Sequence, residues 1–137
     1  ALSLADHGRI DIACAGHPAP LLISADGVQR LPVGGMLPGL MENSRYDSGH
    51  FCVKPGERIA CFTDGLFESA ADDSSRRQLQ HTIETTLVRT CKLPLQQALE
   101  ETMATFDRLA GPTPLDDSLL LLLEPCNPEA PISSLTS

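Results

Sequence analysis

Residues 61–73 read CFTDGLFESAADD, which sets an aspartate, Asp64, against a glycine at the point where an apolar run ends. A carboxylate at the edge of a core is costly unless something pairs with it or binds it. A second such position is Asp116–Asp117, directly ahead of the run SLLLLL. If both runs are neighbouring buried strands, their ends bring these carboxylates together. Close like charges disfavour joint ionisation unless a cation lies between them, and the occupant that suits oxygen ligands is a hard divalent metal. Gly65 removes a side chain where a metal-bound phosphate would have to approach. The competing reading is structural: Asp64 caps a short helix through GLFESA, and Asp116–Asp117 make a turn. Taken singly, either aspartate reads first as a cap, because Asp is among the commonest cap residues.

The other reactive side chains carry weaker signals. His17, in AGHPAP, could donate a proton to a leaving oxygen or fix its own loop through a backbone hydrogen bond, and the second role ranks first. His7 falls in a turn, His50 at a strand start with no nameable partner, and His81 on a helix, so all three read as surface residues. Cys61 has no adjacent base or cationic group and reads as a packed thiol. The five cysteines show no C-x-x-C spacing and sit mostly in apolar runs, which suits reduced, buried thiols and a cytoplasmic setting.

The elements that must position these residues are legible from punctuation and period. ALSLAD, RIDIACA, PLLIS and VQRL are short, partly alternating runs separated by Gly, Asp and Pro, the pattern of an antiparallel meander. A Gly/Pro-rich loop, PVGGMLPGL, follows, then a strand within YDSGHFCVKPGE, a Pro55–Gly56 turn and the strand RIACFT. From Arg76 the period becomes helical. Leu79, Ile83 and Leu87 define one amphipathic helix, and Leu95, Leu99, Met103, Phe106 and Leu109 a second, with Pro94 at its start and Gly111 at its stop. SLLLLLE does not alternate and is expected to be buried on both faces. The order is α+β, with helices segregated to one side of antiparallel sheet. Residues 1–124 read as one domain or part of one, and residues 125–137 as a Pro/Ser-rich disordered tail.

Composition excludes several classes. A formal net charge of −8, with no basic cluster beyond Arg76–Arg77, argues against nucleic acid and anionic membrane as partners. The longest apolar run, Leu119 to Leu123, is far short of the roughly 20 residues of a membrane helix. The chain starts at Ala1 inside an apolar alternation and reads as a piece of a longer protein.

Four segments in order, ACAGHPAPLLI, GGMLPGL, PGERIACFTDGLFESA and LDDSLLLLL, together resemble the C-terminal half of the SpoIIE-type branch of the PPM, or protein phosphatase 2C-like, serine/threonine phosphatases. The resemblance spans nearly all of residues 1–124 and implies a β-sandwich of antiparallel sheets flanked by helices in αββα layers, here incomplete at the N-terminus. It implies that Asp64 and Asp116 are metal ligands and catalytic residues, with Mn²⁺ or Mg²⁺ as the ion and two ions in the complete domain. Such ions, when bound, supply an activated water for in-line attack on phosphorus and neutralise the phosphoryl oxygens. Gly65, Asp117 and His17 would lie around them. The family's remaining metal-bridging aspartate lies upstream of the Ala-Gly-His segment, so these residues alone are expected to be inactive. The implied substrate is a phosphoserine or phosphothreonine protein such as an anti-sigma-factor antagonist, and the implied parent carries an N-terminal receiver or sensor domain. Two other readings compete with this one. The domain could be a catalytically impaired adaptor that binds a sigma factor or an anti-sigma antagonist, or a scaffold whose acidic strand ends are only caps.

Overall fold

The computed structural model describes residues 1–4, 8–68, 70, 72–110 and 117–125. His7, Gly111, Asp116, Cys126 and the tail beyond Pro125 lie outside them. Seven strands and three helices follow in the order β1 (Leu2–Leu4), β2 (Arg9–Ala13), β3 (Leu21–Ser24), β4 (Gly27–Arg30), β5 (Ser48–Cys52), β6 (Arg58–Phe62), α1 (Gly65–Glu68), α2 (Asp73–Thr90), α3 (Leu95–Ala110) and β7 (Leu120–Leu123).

The strands form two antiparallel sheets, β1-β2-β5 and β4-β3-β6-β7. This corrects the expected meander. β2 does not pair with β3 but with β5, with Ile10 opposite Phe51, while β3 pairs with β4 on one side and β6 on the other. The hairpins are local, as the Gly-rich turns require, but the sheets are closed by long-range returns that local punctuation does not encode.

The alternation of each strand explains the layers. Ile10 and Ile12 of β2, Val53, and Ile59 of β6 form a core between the sheets. The opposite face of the second sheet, with Leu21, Ile23, Ala60, Phe62 and Leu122, packs on Leu79, Ile83 and Leu87 of α2 and on Ala98 and Phe106 of α3. Each of the buried valine, leucine, isoleucine and phenylalanine side chains among these contributes roughly 1.5–3 kcal/mol relative to exposure. The described residues therefore supply three layers of the expected αββα order: sheet, sheet, helices.

Two expectations about burial change. The strand buried on both faces is β6, at the centre of its sheet, not β7. Among the described residues β7 pairs only with β6, and Leu119 and Leu121 remain 57% and 47% exposed. In α3 the buried line is Ala98, Thr102, Thr105 and Phe106, whereas Leu109 is exposed. The threonines are buried without orphaned hydroxyls because each bonds back one turn, Thr102 to the Ala98 carbonyl at 2.7 Å and Thr105 to that of Glu101 at 2.9 Å.

Helix α2 starts three residues earlier than its apolar stripe indicated. Asp72 caps it, accepting the N–H groups of Ser74 and Ser75 at 2.9 and 3.0 Å. At the start of β6, the buried Arg58 donates to the Thr90 carbonyl at 3.1 Å, to the Leu93 carbonyl, and to Glu124 at 2.8 Å. This guanidinium ties the end of α2 and the end of β7 to the central strand. No helix among the described residues is long and apolar enough to cross a membrane.

Candidate functional site

The site begins where β6 ends. Thr63 extends the ladder by one residue, its N–H donating to the Leu119 carbonyl at 3.1 Å. Its hydroxyl donates to the Asp117 carbonyl at 3.0 Å and accepts the Leu119 N–H at 2.9 Å. One threonine thus clamps the segment entering β7 against the residue that precedes Asp64. The pattern Thr-Asp at a strand end was in view in the sequence, but only the pairing of β6 with β7 gives the hydroxyl a job.

Asp64 follows as the first residue of a turn into α1. Its carbonyl accepts the N–H groups of Phe67 and Glu68, both at 2.9 Å, and its Oδ1 accepts the Gly65 N–H at 3.1 Å. It therefore does start the short helix, as the cap reading held, yet the carboxylate remains solvent-exposed and faces a cleft. Among the described residues the side-chain bond reaches only the adjacent N–H, not the second or third helical N–H that a capping carboxylate takes, and it engages one carboxylate oxygen. Gly65 is buried as the first residue of α1, and Asp117 is exposed at the head of β7. The structure brings Asp64 and Asp117 to the same end of paired strands. Asp116 lies outside the described residues, and among these no group of three or more His, Cys, Asp or Glu side chains could hold a metal ion.

The AGHP loop reaches the same edge. β3 runs antiparallel to β6, with Leu21 opposite Ala60, so residues 17–20 lie beside the end of β6. His17 is exposed, and its Nδ1 lies 3.2 Å from the Pro18 carbonyl, the loop-fixing contact expected of it. The loop is fastened to GGMLPGL: the Gly16 N–H donates to the Gly35 carbonyl at 2.8 Å. Gly16 has φ +69°, and a Cβ there would lie 2.9 Å from Leu37 Cα, so both backbone angle and space demand glycine. His50 is a surface residue on the outer face of the other sheet. It does have a partner, Asp11, at 2.7 Å, and that hydrogen bond holds the Asp11 carboxyl below the usual range.

Burial pushes the Cys61 and Cys14 thiols up, away from the thiolate, in keeping with Cys61 as a packed thiol. Cys91 is also buried, whereas Cys52 is exposed.

Beside Asp64 opens a cleft of about 430 Å³. Its apolar wall is Pro18, Phe62 and Phe67, the two rings meeting edge to face at 4.6 Å. Its polar wall carries Arg30, Arg76 and Arg77 with Glu68 and Asp73. The sequence showed Arg76–Arg77 only as an isolated basic pair, and gave no sign that Arg30, 46 residues earlier, faces the same space.

A sandwich of antiparallel sheets with two helices on one face, and acidic residues at the ends of two paired strands, fits the architecture of PP2C-type phosphatase domains. Residues 4–125 match the Stage II sporulation protein E (SpoIIE) family, and the chain belongs to it. Among solved structures, the SpoIIE phosphatase domain of Bacillus subtilis, from a crystal presoaked with manganese, is similar at a TM-score of 0.69 and 11% identity, covering 90% of this chain and 54% of that one. The RsbU and RsbW domains of a Mycobacterium tuberculosis protein give 0.62 and 22%, covering 85% and 32%. The SiaA PP2C domain of Pseudomonas aeruginosa gives 0.56 and 21%, covering 84% and 45%. The chain thus spans between about a third and about half of these solved chains, and at such identities they establish the fold. No curated protein matches the chain in sequence.

Proposed function

We propose that these residues form the C-terminal part of a metal-dependent phosphatase domain that, in its intact parent, removes phosphate from phosphoserine or phosphothreonine on a cytoplasmic regulatory protein. The fitting substrate class is an anti-sigma-factor antagonist, and the fitting parent carries a receiver or sensor domain ahead of this one. The observation that supports the reading most is the Thr63 clamp, which fastens the segment leading from Asp116 and Asp117 to the strand end that carries Asp64.

Asp64 and Asp116 would hold Mn²⁺ or Mg²⁺, with Asp117 and Gly65 adjoining. Such ions supply an activated water and charge neutralisation when bound. The chain's own residues orient the ligands and present an open cleft to a phosphorylated side chain. His17, on the loop beside the end of β6, would be the proton donor to the leaving oxygen if it has a chemical role, although its ring contact with Pro18 favours a loop-fixing one. The centre is completed by an aspartate upstream of the Ala-Gly-His segment, so residues 1–124 alone are proposed to be inactive.

The test is phosphate release from a phosphoserine protein by the full-length protein, with Mn²⁺, with Mg²⁺ and with a chelator. Turnover should require the ion, and Asp64→Ala should abolish it while circular dichroism stays unchanged. A fully active Asp64→Ala protein would remove the metal assignment. Ion-independent binding of the phosphoprotein without phosphate release would point to the adaptor instead.

A further inference from the structure

The cleft beside Asp64 gathers three of the chain's ten lysines and arginines in a protein of formal charge −8. They differ in how they are held. Arg76 is engaged from behind, its Nε donating to the Ala70 carbonyl at 3.1 Å and its Nη1 lying 3.9 Å from Asp73. The Arg30 guanidinium donates through Nη1 to the Ala19 carbonyl at 3.3 Å and its Cζ lies 6.0 Å from the centre of the Phe62 ring, which positions the planar group at the cleft with donors to spare. Arg77 is exposed and makes no ion pair or hydrogen bond among the described residues. Two guanidinium groups thus face a space with an apolar wall on one side and Asp64 at its edge. A guanidinium pairs with a carboxylate in two-point geometry, more strongly beside apolar surface than in open water. The volume matches sites that take a few side chains.

We propose that this cleft seats the stretch of substrate next to the phosphorylated residue, and that Arg77 and Arg30 select acidic side chains there. The direction of the segment, with its phosphoryl group toward Asp64, rests on the phosphatase reading above. Glu68 and Asp73 line the same cleft and repel an acid near themselves, so the preference is carried by the positions next to Arg77 and Arg30.

The experiment uses the full-length protein with Mn²⁺ and two phosphoserine peptides that differ only in flanking residues, Asp/Glu in one and Asn/Gln in the other. The expected kcat/KM ratio is about tenfold in favour of the acidic peptide, carried by KM. In Arg77→Glu, and in the Arg30→Gln/Arg77→Gln double variant, the ratio falls to about one or below. Because each ratio is taken within one variant, a general loss of activity cancels. A ratio of one in the parental protein, or an unchanged ratio in Arg77→Glu, overturns the proposal. If neither peptide is turned over by the parental protein, the phosphatase reading fails, and fluorescence anisotropy with the labelled acidic phosphopeptide still decides the groove. Tighter binding of the acidic peptide that Arg77→Glu abolishes upholds it, and equal affinities for both proteins overturn it.

Discussion

Replacing Thr63 by valine keeps the shape of the side chain and removes only its hydroxyl, which holds Asp117 at 3.0 Å and Leu119 at 2.9 Å. Each hydrogen bond contributes about 1 kcal/mol net, and because Thr63 is only half-buried, water replaces part of what is lost. The expected global cost is therefore about 1 kcal/mol, or a fall in Tm of about 4 °C for a domain of this size. The local effect should be larger than that figure suggests, because both bonds fall on the two residues that steer the entry to β7. Residues that orient metal ligands change affinity by about 10- to 100-fold when removed. In the full-length protein, the Mn²⁺ concentration for half-maximal phosphate release should rise by at least about tenfold in Thr63→Val, and Thr63→Ser, which keeps the hydroxyl, should restore it. A Thr63→Val protein with a lower Tm but the parental Mn²⁺ dependence would show that the clamp serves the sheet alone, and the argument that it positions the site would be wrong.

Two further outcomes follow from the described contacts. Arg58→Met leaves the Thr90 and Leu93 carbonyls without their donor inside the fold, and urea unfolding should show a loss of about 2–4 kcal/mol; Glu124→Gln, at a partner whose side chain is 41% exposed, should cost under about 1 kcal/mol. Hydrogen bonds from Ser75, and then Ser74, hold the Asp72 carboxyl below its ordinary value, so its contribution is complete above the unfolded value near about pH 4 and is lost as the pH falls through the lower folded value. Thermal melts across this range should show Asp72→Ala less stable at neutral pH, and Asp72→Asn close to the parental protein at neutral pH but flatter on the acid side.

What the sequence disclosed was local. The turn at Gly56, with φ +88°, the helical spacing of Leu79, Ile83 and Leu87, and the position of Asp64 at a strand end are all set by residues within a few places of one another. What it hid was set by pairing at a distance. An unbroken apolar run looks the same whether it is central or at an edge, so the both-face burial expected of SLLLLLE belongs instead to β6, whose RIACF carries an arginine. That arginine reads as a solvated strand end until α2 and β7 bring it three acceptors. Likewise His50 has no visible partner in sequence, because Asp11, 39 residues away, becomes its neighbour only when β5 returns to β2.

The same long-range contacts fix the backbone from which Asp64 departs, although it lies in a turn. β6 is flanked by strands on both sides, covered on both faces, and fastened at each end, by Arg58 to α2 and the end of β7 and by Thr63 to the start of β7. A carboxylate leaving such a strand starts from a fixed backbone, and the segment that enters β7 is tied to that strand through both the hydroxyl and the N–H of Thr63. On the proposed metal reading, perturbing Thr63 should therefore weaken ion binding before it alters the fold, and perturbing Arg58 should do the reverse.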